Sequence, residues 1–371
     1  MDLSQEDSLR INVLLNQELE SIRIDESKMI VYGLTAKGEA RVELNPNCKD
    51  EKYIKQIKET ISAHVLGSPG GYPVFLRRWT RMGQAKDASL DRLLKLGEPE
   101  AVVAVVHASG LTDELARRAW WAMPSSLHAR CMLANTKVAE GDMGKVLAEF
   151  LLEFLPFEEE PRDIVESVRL VLQKNLINQE ELDKLWSRGN RKNVFYVGFL
   201  KTLPDNLPVI ENAHIHFKRY QEKLAPLIEQ NNVLAKQLLR VLSSTGQAYI
   251  KTVTMVLKKP SNQDVVVALL QAISEYYQTV QYLSPDSQGI NELFMKVESY
   301  VIESAHTDIQ QILSILPESQ KYLEAVLKLS QVGVHVVNPI FAVSDAIGTV
   351  MRRQLEPVSK LIQTQLDLLT E

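Results

Sequence analysis

From Leu90 onward one pattern recurs along the chain: a capping residue, an apolar run at helical spacing, and a turn that stops it. Gly97-Glu-Pro99 sets up a proline start for a helix over residues 101–108, which Ser109-Gly110 ends. Thr112-Asp-Glu caps a helix that runs through Trp120-Trp121 to Pro124. Asp142 heads a helix over 146–155, Asp163 lies in the first turn of another over 164–172, and Asn178-Gln-Glu-Glu181 is a capping-box start for 182–186. A helix over 193–203 follows, closed by Pro204 and Pro208. Short helices joined by short turns bury their apolar stripes only by stacking on one another. The expected fold is therefore mainly α, an irregular HEAT-like α-α stack without a strict repeat period.

Two regions flank this array. Ser4 is an N-cap for a first helix carrying Leu9, Val13, Leu14, Leu19 and Ile22. Runs 29–34 and 39–44 enclose Thr35-Ala-Lys-Gly38, and Ala40, Val42 and Leu44 alternate with charged neighbours, which predicts a β-hairpin. Asp50 opens a helix with Ile54, Ile57, Ile61 and Val65 on one stripe. The first 66 residues thus predict an α-β-β-α unit, ended by the Gly/Pro-rich run 67–73. Beyond Pro208 the helical segments lengthen to 211–231, 233–258, 263–283, 290–316, 319–337 and 341–369. The expected domains are a small α/β unit (1–66), a helical-repeat domain (67–208) and a long-helix α domain (209–371).

With 45% hydrophobic and 24% charged residues the chain has the balance of a globular protein. Its net charge of −5 argues against attraction of nucleic acid or anionic membrane by the surface as a whole. Cys48 and Cys131 lack the spacing of a metal knuckle or a dithiol pair and fit a reducing compartment. Residues 1–7 are acidic and polar, unlike a signal peptide. The longest apolar stretch, 332–343, is broken by His335, Asn338 and Pro339, short of the roughly 20 apolar residues of a membrane span. A cytoplasmic protein without a membrane span is expected.

Four groups of residues offer contact chemistry. Tyr72, Arg77, Arg78, Trp79 and Arg81 interleave guanidinium groups with aromatic rings, suited to phosphates and unpaired bases of RNA; the alternative has the rings packed inward. Arg117 lies within one helical turn of Trp120 and Trp121, so it stacks on an indole or else the tryptophans anchor a helix–helix interface. Arg188 and Arg191 belong to the basic run Ser187-Arg-Gly-Asn-Arg-Lys192, just before Phe195-Tyr196. Cys131, beside Arg130 and His128, is a candidate reactive thiol, set against a buried inert cysteine. His214 and His216, one residue apart, fall on different faces of a helix and make no metal pair. Residues 67–71 lack the Lys-Ser/Thr of a phosphate loop. No cofactor, metal or catalytic constellation follows from local spacing, which points to a non-enzymatic binding protein.

Three passages carry a family resemblance. Tyr72-Pro-Val-Phe-Leu-Arg-Arg-Trp-Thr-Arg-Met-Gly-Gln84, Leu93-Leu-Lys-Leu-Gly-Glu-Pro-Glu-Ala-Val-Val-Ala-Val-Val-His-Ala-Ser-Gly110 and Leu115-Ala-Arg-Arg-Ala-Trp-Trp121 together resemble the DsrS proteins, encoded with the dissimilatory sulfite reductase (dsr) system of sulfur-oxidising bacteria. The resemblance implies a cytoplasmic accessory protein of bacterial sulfur oxidation. Such a protein acts by protein–protein binding and affects dsr gene expression after transcription. It transfers no binding residue. Two alternatives stand beside it: an RNA-binding regulator using the Arg/aromatic clusters, and a Cys131-based sulfur carrier.

Overall fold

In a computed structural model that describes residues 3–67, 87–284, 289–303, 306–344 and 346–370, the chain is mainly α, with one three-stranded antiparallel sheet near the N-terminus. It divides into two units, Met1–Pro156 and Phe157–Glu371, a break that falls inside the region 67–208.

Helix α1 (Gln5–Leu15) starts where expected: the Ser4 side chain accepts from the Asp7 amide at 3.2 Å. It stops earlier than the sequence predicts. Leu19 and Ile22 lie instead on a strand, β1 (Leu19–Asp25), ahead of the expected hairpin of β2 (Ile30–Thr35) and β3 (Gly38–Glu43), in the order β1-β2-β3. An irregular register between Leu19 and Ser21 gives Leu19 and Ile22 a spacing that also fits a helix. Asp25 turns the chain into β2: its carboxylate accepts from the Ser27 hydroxyl and the Lys28 amide, and the Ser27 bond leads in holding it down to about 2.

Helix α2 (Asp50–Leu66) closes the core. Ile11, Leu14, Ile22, Val31, Tyr53, Ile57 and Ile61 pack together with almost no exposure. Asp7 is also fully buried, among these apolar side chains. Its Oδ2 accepts from the Tyr53 hydroxyl at 2.5 Å and from the Asn45 amide at 2.7 Å. Burial, followed by the Asp7 carboxylate, raises the Tyr53 pKa.

From Asp87 on, this unit is a run of short helices, each packed on near neighbours in sequence: α3 (Asp87–Leu94), α4 (Pro99–Val106), α5 (Asp113–Ala122), α6 (Ser126–Leu133), α7 (Thr136–Ala139) and α8 (Asp142–Phe154). Side chains of Thr112, Ser125 and Asn135 cap three of them. Alternate residues of β1 go opposite ways. Ile22 joins the core, whereas the Ser21 hydroxyl donates to the Leu94 carbonyl at 3.1 Å.

The second unit holds α9 (Pro161–Val171), α10 (Gln179–Arg188), α11 (Val194–Thr202), α12 (Phe217–Glu229), α13 (Val233–Leu242), α14 (Ser244–Lys258), α15 (Gln263–Tyr277), α16 (Ile290–Glu303), α17 (Thr307–Ile315), α18 (Gln320–Ser330), α19 (Asn338–Phe341) and α20 (Gly348–Leu368). Gly198 lets α11 cross close over α9, since a Cβ there would lie 2.5 Å from Val168 Cγ1. The helices are shorter than the apolar pattern predicts. The segment 233–258 breaks at Ser243, which adopts extended backbone and accepts from the Gly246 amide as the cap of α14. Ser and Thr prefer such caps to helix interiors because the hydroxyl competes for backbone donors. Arg240 is fixed by a bidentate pair with Asp205, both contacts 2.7 Å, while its guanidinium lies 3.9 Å from the centre of the Tyr276 ring.

His214 and His216 precede α12 rather than lying on a helix, and their rings meet 5.3 Å apart. His214 is buried and its Nδ1 accepts from the His216 amide. Burial, then His216 and Lys321, push its pKa down to about 4. No group of three metal-binding side chains occurs among the described residues. No helix there is long and apolar enough to cross a membrane.

Two consequences are measurable. Tyr53→Phe leaves a buried carboxylate without its hydroxyl donor, and should cost about 2 kcal/mol. Native-state hydrogen exchange across α1 and α2 reads this; unchanged protection would refute it. A histidine whose folded pKa lies below its ordinary 6.5 stabilises above that value and loses the contribution as pH falls through about 4. Protection of α12 should therefore decline over that window, with a shallower decline in His214→Gln.

Candidate functional site

Tyr72, Arg77, Arg78, Trp79 and Arg81 lie outside the described residues. The remaining candidates fall at three separate places.

Arg117 and Trp121, both on α5, face the sheet rather than a free surface. Arg117 donates to both oxygens of Glu114 and, at 2.6 Å, to Glu20. Arg118 pairs with Glu114 and Asp91. The Arg117 bonds, ahead of those from Arg118, hold the Glu114 carboxyl down to about 2. The Trp121 indole donates to Glu39 on β3 at 3.0 Å. The cation against its ring is Arg23 of β1, 5.0 Å from the ring centre, and not Arg117. Arg23 also reaches Glu39 and lies 4.6 Å from the Tyr32 ring centre. Trp120 packs edge-on against Phe150 of α8 at 4.7 Å. These groups staple α5 to its neighbours.

Cys131, on α6, is partly exposed and meets His107, with Sγ 3.4 Å from Nε2. His107 caps the C-terminus of α4, and its Nδ1 lies 2.8 Å from the Val103 carbonyl. A carbonyl only accepts, so that contact places the ring proton on Nδ1 and turns the Nε2 lone pair toward the thiol. Nucleophile, base and a group that orients the base are thus in line. The sequence neighbours expected to activate the thiol are committed elsewhere: His128 is buried with Nδ1 on the Met123 carbonyl, and Arg130 is buried and engaged. No local spacing reveals the pair, because 24 residues separate its members.

Arg188 ends α10, half-buried and engaged, and Arg191 is exposed on the turn that follows. The aromatic residues after the run do not accompany it outward. Phe195 is 4% and Tyr196 2% exposed, with the Tyr196 ring 4.5 Å from Trp186 and its hydroxyl on Asn190. Arg191 and Lys192 line a cleft whose other cations, Lys259 and Arg352, come from distant segments.

A further surface escapes the sequence reading. Leu9 and Val13 belong by spacing to the buried stripe of α1, yet they are 66% and 57% exposed. Helix α1 is apolar on two sides. Ile11, Leu14 and Leu15 fill the core, while Leu9 and Val13 rim a groove of about 490 Å³ whose opposite wall is Ala40 and Val42 of β3. Among the described strands β3 pairs with β2 alone; on its other edge, among the described residues, the Glu43 carbonyl accepts from Arg10 at 3.5 Å and no strand takes up the rest.

The Cys131–His107 geometry makes a kinetic prediction. Iodoacetamide at pH 7 should label Cys131 several-fold faster than Cys48, which is also partly exposed, and His107→Gln should remove most of that difference. Equal rates for the two thiols, read by peptide mass spectrometry, would mark Cys131 as ordinary.

Comparison with protein-family models, curated proteins and solved structures gives no match, so what these surfaces do has to be argued from their own residues.

Proposed function

We propose that this chain is a non-enzymatic accessory protein of bacterial sulfur oxidation that acts by binding a second protein. The resemblance of residues 72–121 to the DsrS proteins supplies the setting, in which binding serves control of dsr gene expression after transcription. Support for a protein partner comes from the outer side of α1, where Leu9 and Val13 stand exposed beside the open edge of β3. An extended segment that adds to β3 as a further strand satisfies the free edge. Its alternate apolar side chains enter the groove between Val13 and Val42. Full burial of an aliphatic side chain contributes about 1.5–3 kcal/mol, so two of them change affinity well beyond tenfold.

The test uses the tagged full chain, affinity-purified after crosslinking in a sulfur-oxidising bacterium. A protein of the sulfite reductase system should be recovered with the wild type and fall at least tenfold with Leu9→Glu/Val13→Glu. Both side chains are largely outside the core, so the variant keeps its fold. Recovery of the same partner with the variant, or of no protein of that system with either chain, would defeat the proposal.

A further inference from the structure

Arg191 and Lys192 on the turn after α10, Lys259 at the end of α14 and Arg352 on α20 line one cleft of about 570 Å³ in the second unit. Arg352 also lines an adjoining hollow, which adds Lys258 and Arg353 at its edge. We infer that this cleft is a binding site for a small anion carrying two or more phosphate groups.

Neutralisation sets the cleft apart from a solvated basic surface. Elsewhere in the same unit cations find carboxylates: Arg169 with Glu166, Lys201 with Glu275, Arg240 with Asp205, Lys328 with Glu298. Among the described residues none of the four cleft cations has such a partner, and the single acidic side chain in the lining is the exposed Glu159. Four like charges around one concavity repel one another, and a bound polyanion removes that cost. The overall charge of −5 makes this concentration local rather than general.

The cations are also held in place. Asn193 Nδ2 donates to the Lys259 carbonyl at 2.7 Å and ties the turn to the end of α14. Arg352 donates to the Pro260 carbonyl at 3.2 Å and to Thr349 Oγ1 at 2.9 Å, which fixes the guanidinium while leaving its charge uncancelled. The first residues of α9 and α11, Pro161 and Val194, line the same cleft, and neither helix has a side-chain cap. The positive ends of their dipoles add to the field of the side chains.

Ligand class follows from size and lining. The volume is that of a small-molecule site, within the usual range of about 300–1,000 Å³. Two guanidinium groups offer forks that match phosphate oxygens, and four cations around one cleft favour an anion of higher charge than a single carboxylate. The aromatic residue in the lining, Tyr196, is buried and hydrogen-bonded, so it offers no face on which a base stacks. That feature favours a small phosphorylated molecule over single-stranded RNA.

Titration calorimetry of the full chain with inorganic triphosphate at low salt should give saturable one-site binding. Arg191→Gln and Arg352→Gln should each weaken it about tenfold. Because Arg352 also braces Pro260, Lys192→Gln is the companion variant. Its side chain is exposed, and it should weaken binding several-fold without shifting the melting curve. A single-stranded RNA dodecamer should bind more weakly than triphosphate and be displaced by it. Absence of saturable binding, or binding indifferent to Arg191→Gln and Lys192→Gln, would overturn the assignment. So would tight binding of the dodecamer with none of triphosphate.

Discussion

Asp7 sits in the core of the N-terminal unit with no solvent exposure, and the surrounding geometry keeps a carboxylate tolerable there. Removing such a group from water costs several kcal/mol unless donors replace the lost hydration. The donors come from two places far apart in sequence: the Tyr53 hydroxyl on α2 and the Asn45 amide just beyond β3. Ser4 closes the set by capping α1 and bonding to Tyr53. One buried oxygen therefore fixes the start of α1 against both α2 and the end of the sheet. The groove between α1 and β3 keeps its width because its two walls are joined at this point.

Elsewhere in the molecule the disposition of carboxylates decides what an arginine does. On α5, Arg117 and Arg118 are surrounded by Glu20, Asp91 and Glu114, and Arg23 and Trp121 share Glu39. These guanidinium groups hold helix to sheet, and their charge is largely consumed in doing so. Among the described residues, Arg191, Lys192, Lys259 and Arg352 pair with no carboxylate. Composition gives no hint of the difference, since the runs around Arg117 and Arg191 both read as arginine near aromatic residues in the sequence.

The parts of the fold legible in the sequence are those determined by short-range chemistry. Thr112, Asn178 and the Thr35–Gly38 turn act through neighbours two to four residues away, and the helices and hairpin they delimit are visible in the chain. Strand β1 was hidden because Leu19 and Ile22, three apart, fit a helical stripe as well as a bulged strand. The division at Ser243 was hidden because the apolar pattern continues across it, although a serine followed by Gly246 is a cap in miniature. Leu9 and Val13 show the opposite failure: apolar periodicity marks which residues share a side of a helix, not whether that side is covered. The Cys131–His107 pair and the cleft cations join residues from separate segments, which only the folded chain brings together.

Gly189 has no charge and only ends α10 as its C-cap, yet the cleft depends on it. A Cβ at this position would fall 2.3 Å from the Tyr196 ring, which is itself wedged against Trp186. The basic turn is therefore moulded onto an aromatic core, and the spacing of its cations is inherited from hydrophobic packing. In evolutionary terms the two are coupled: drift in the buried rings would retune recognition at the surface while every positive charge stayed in place.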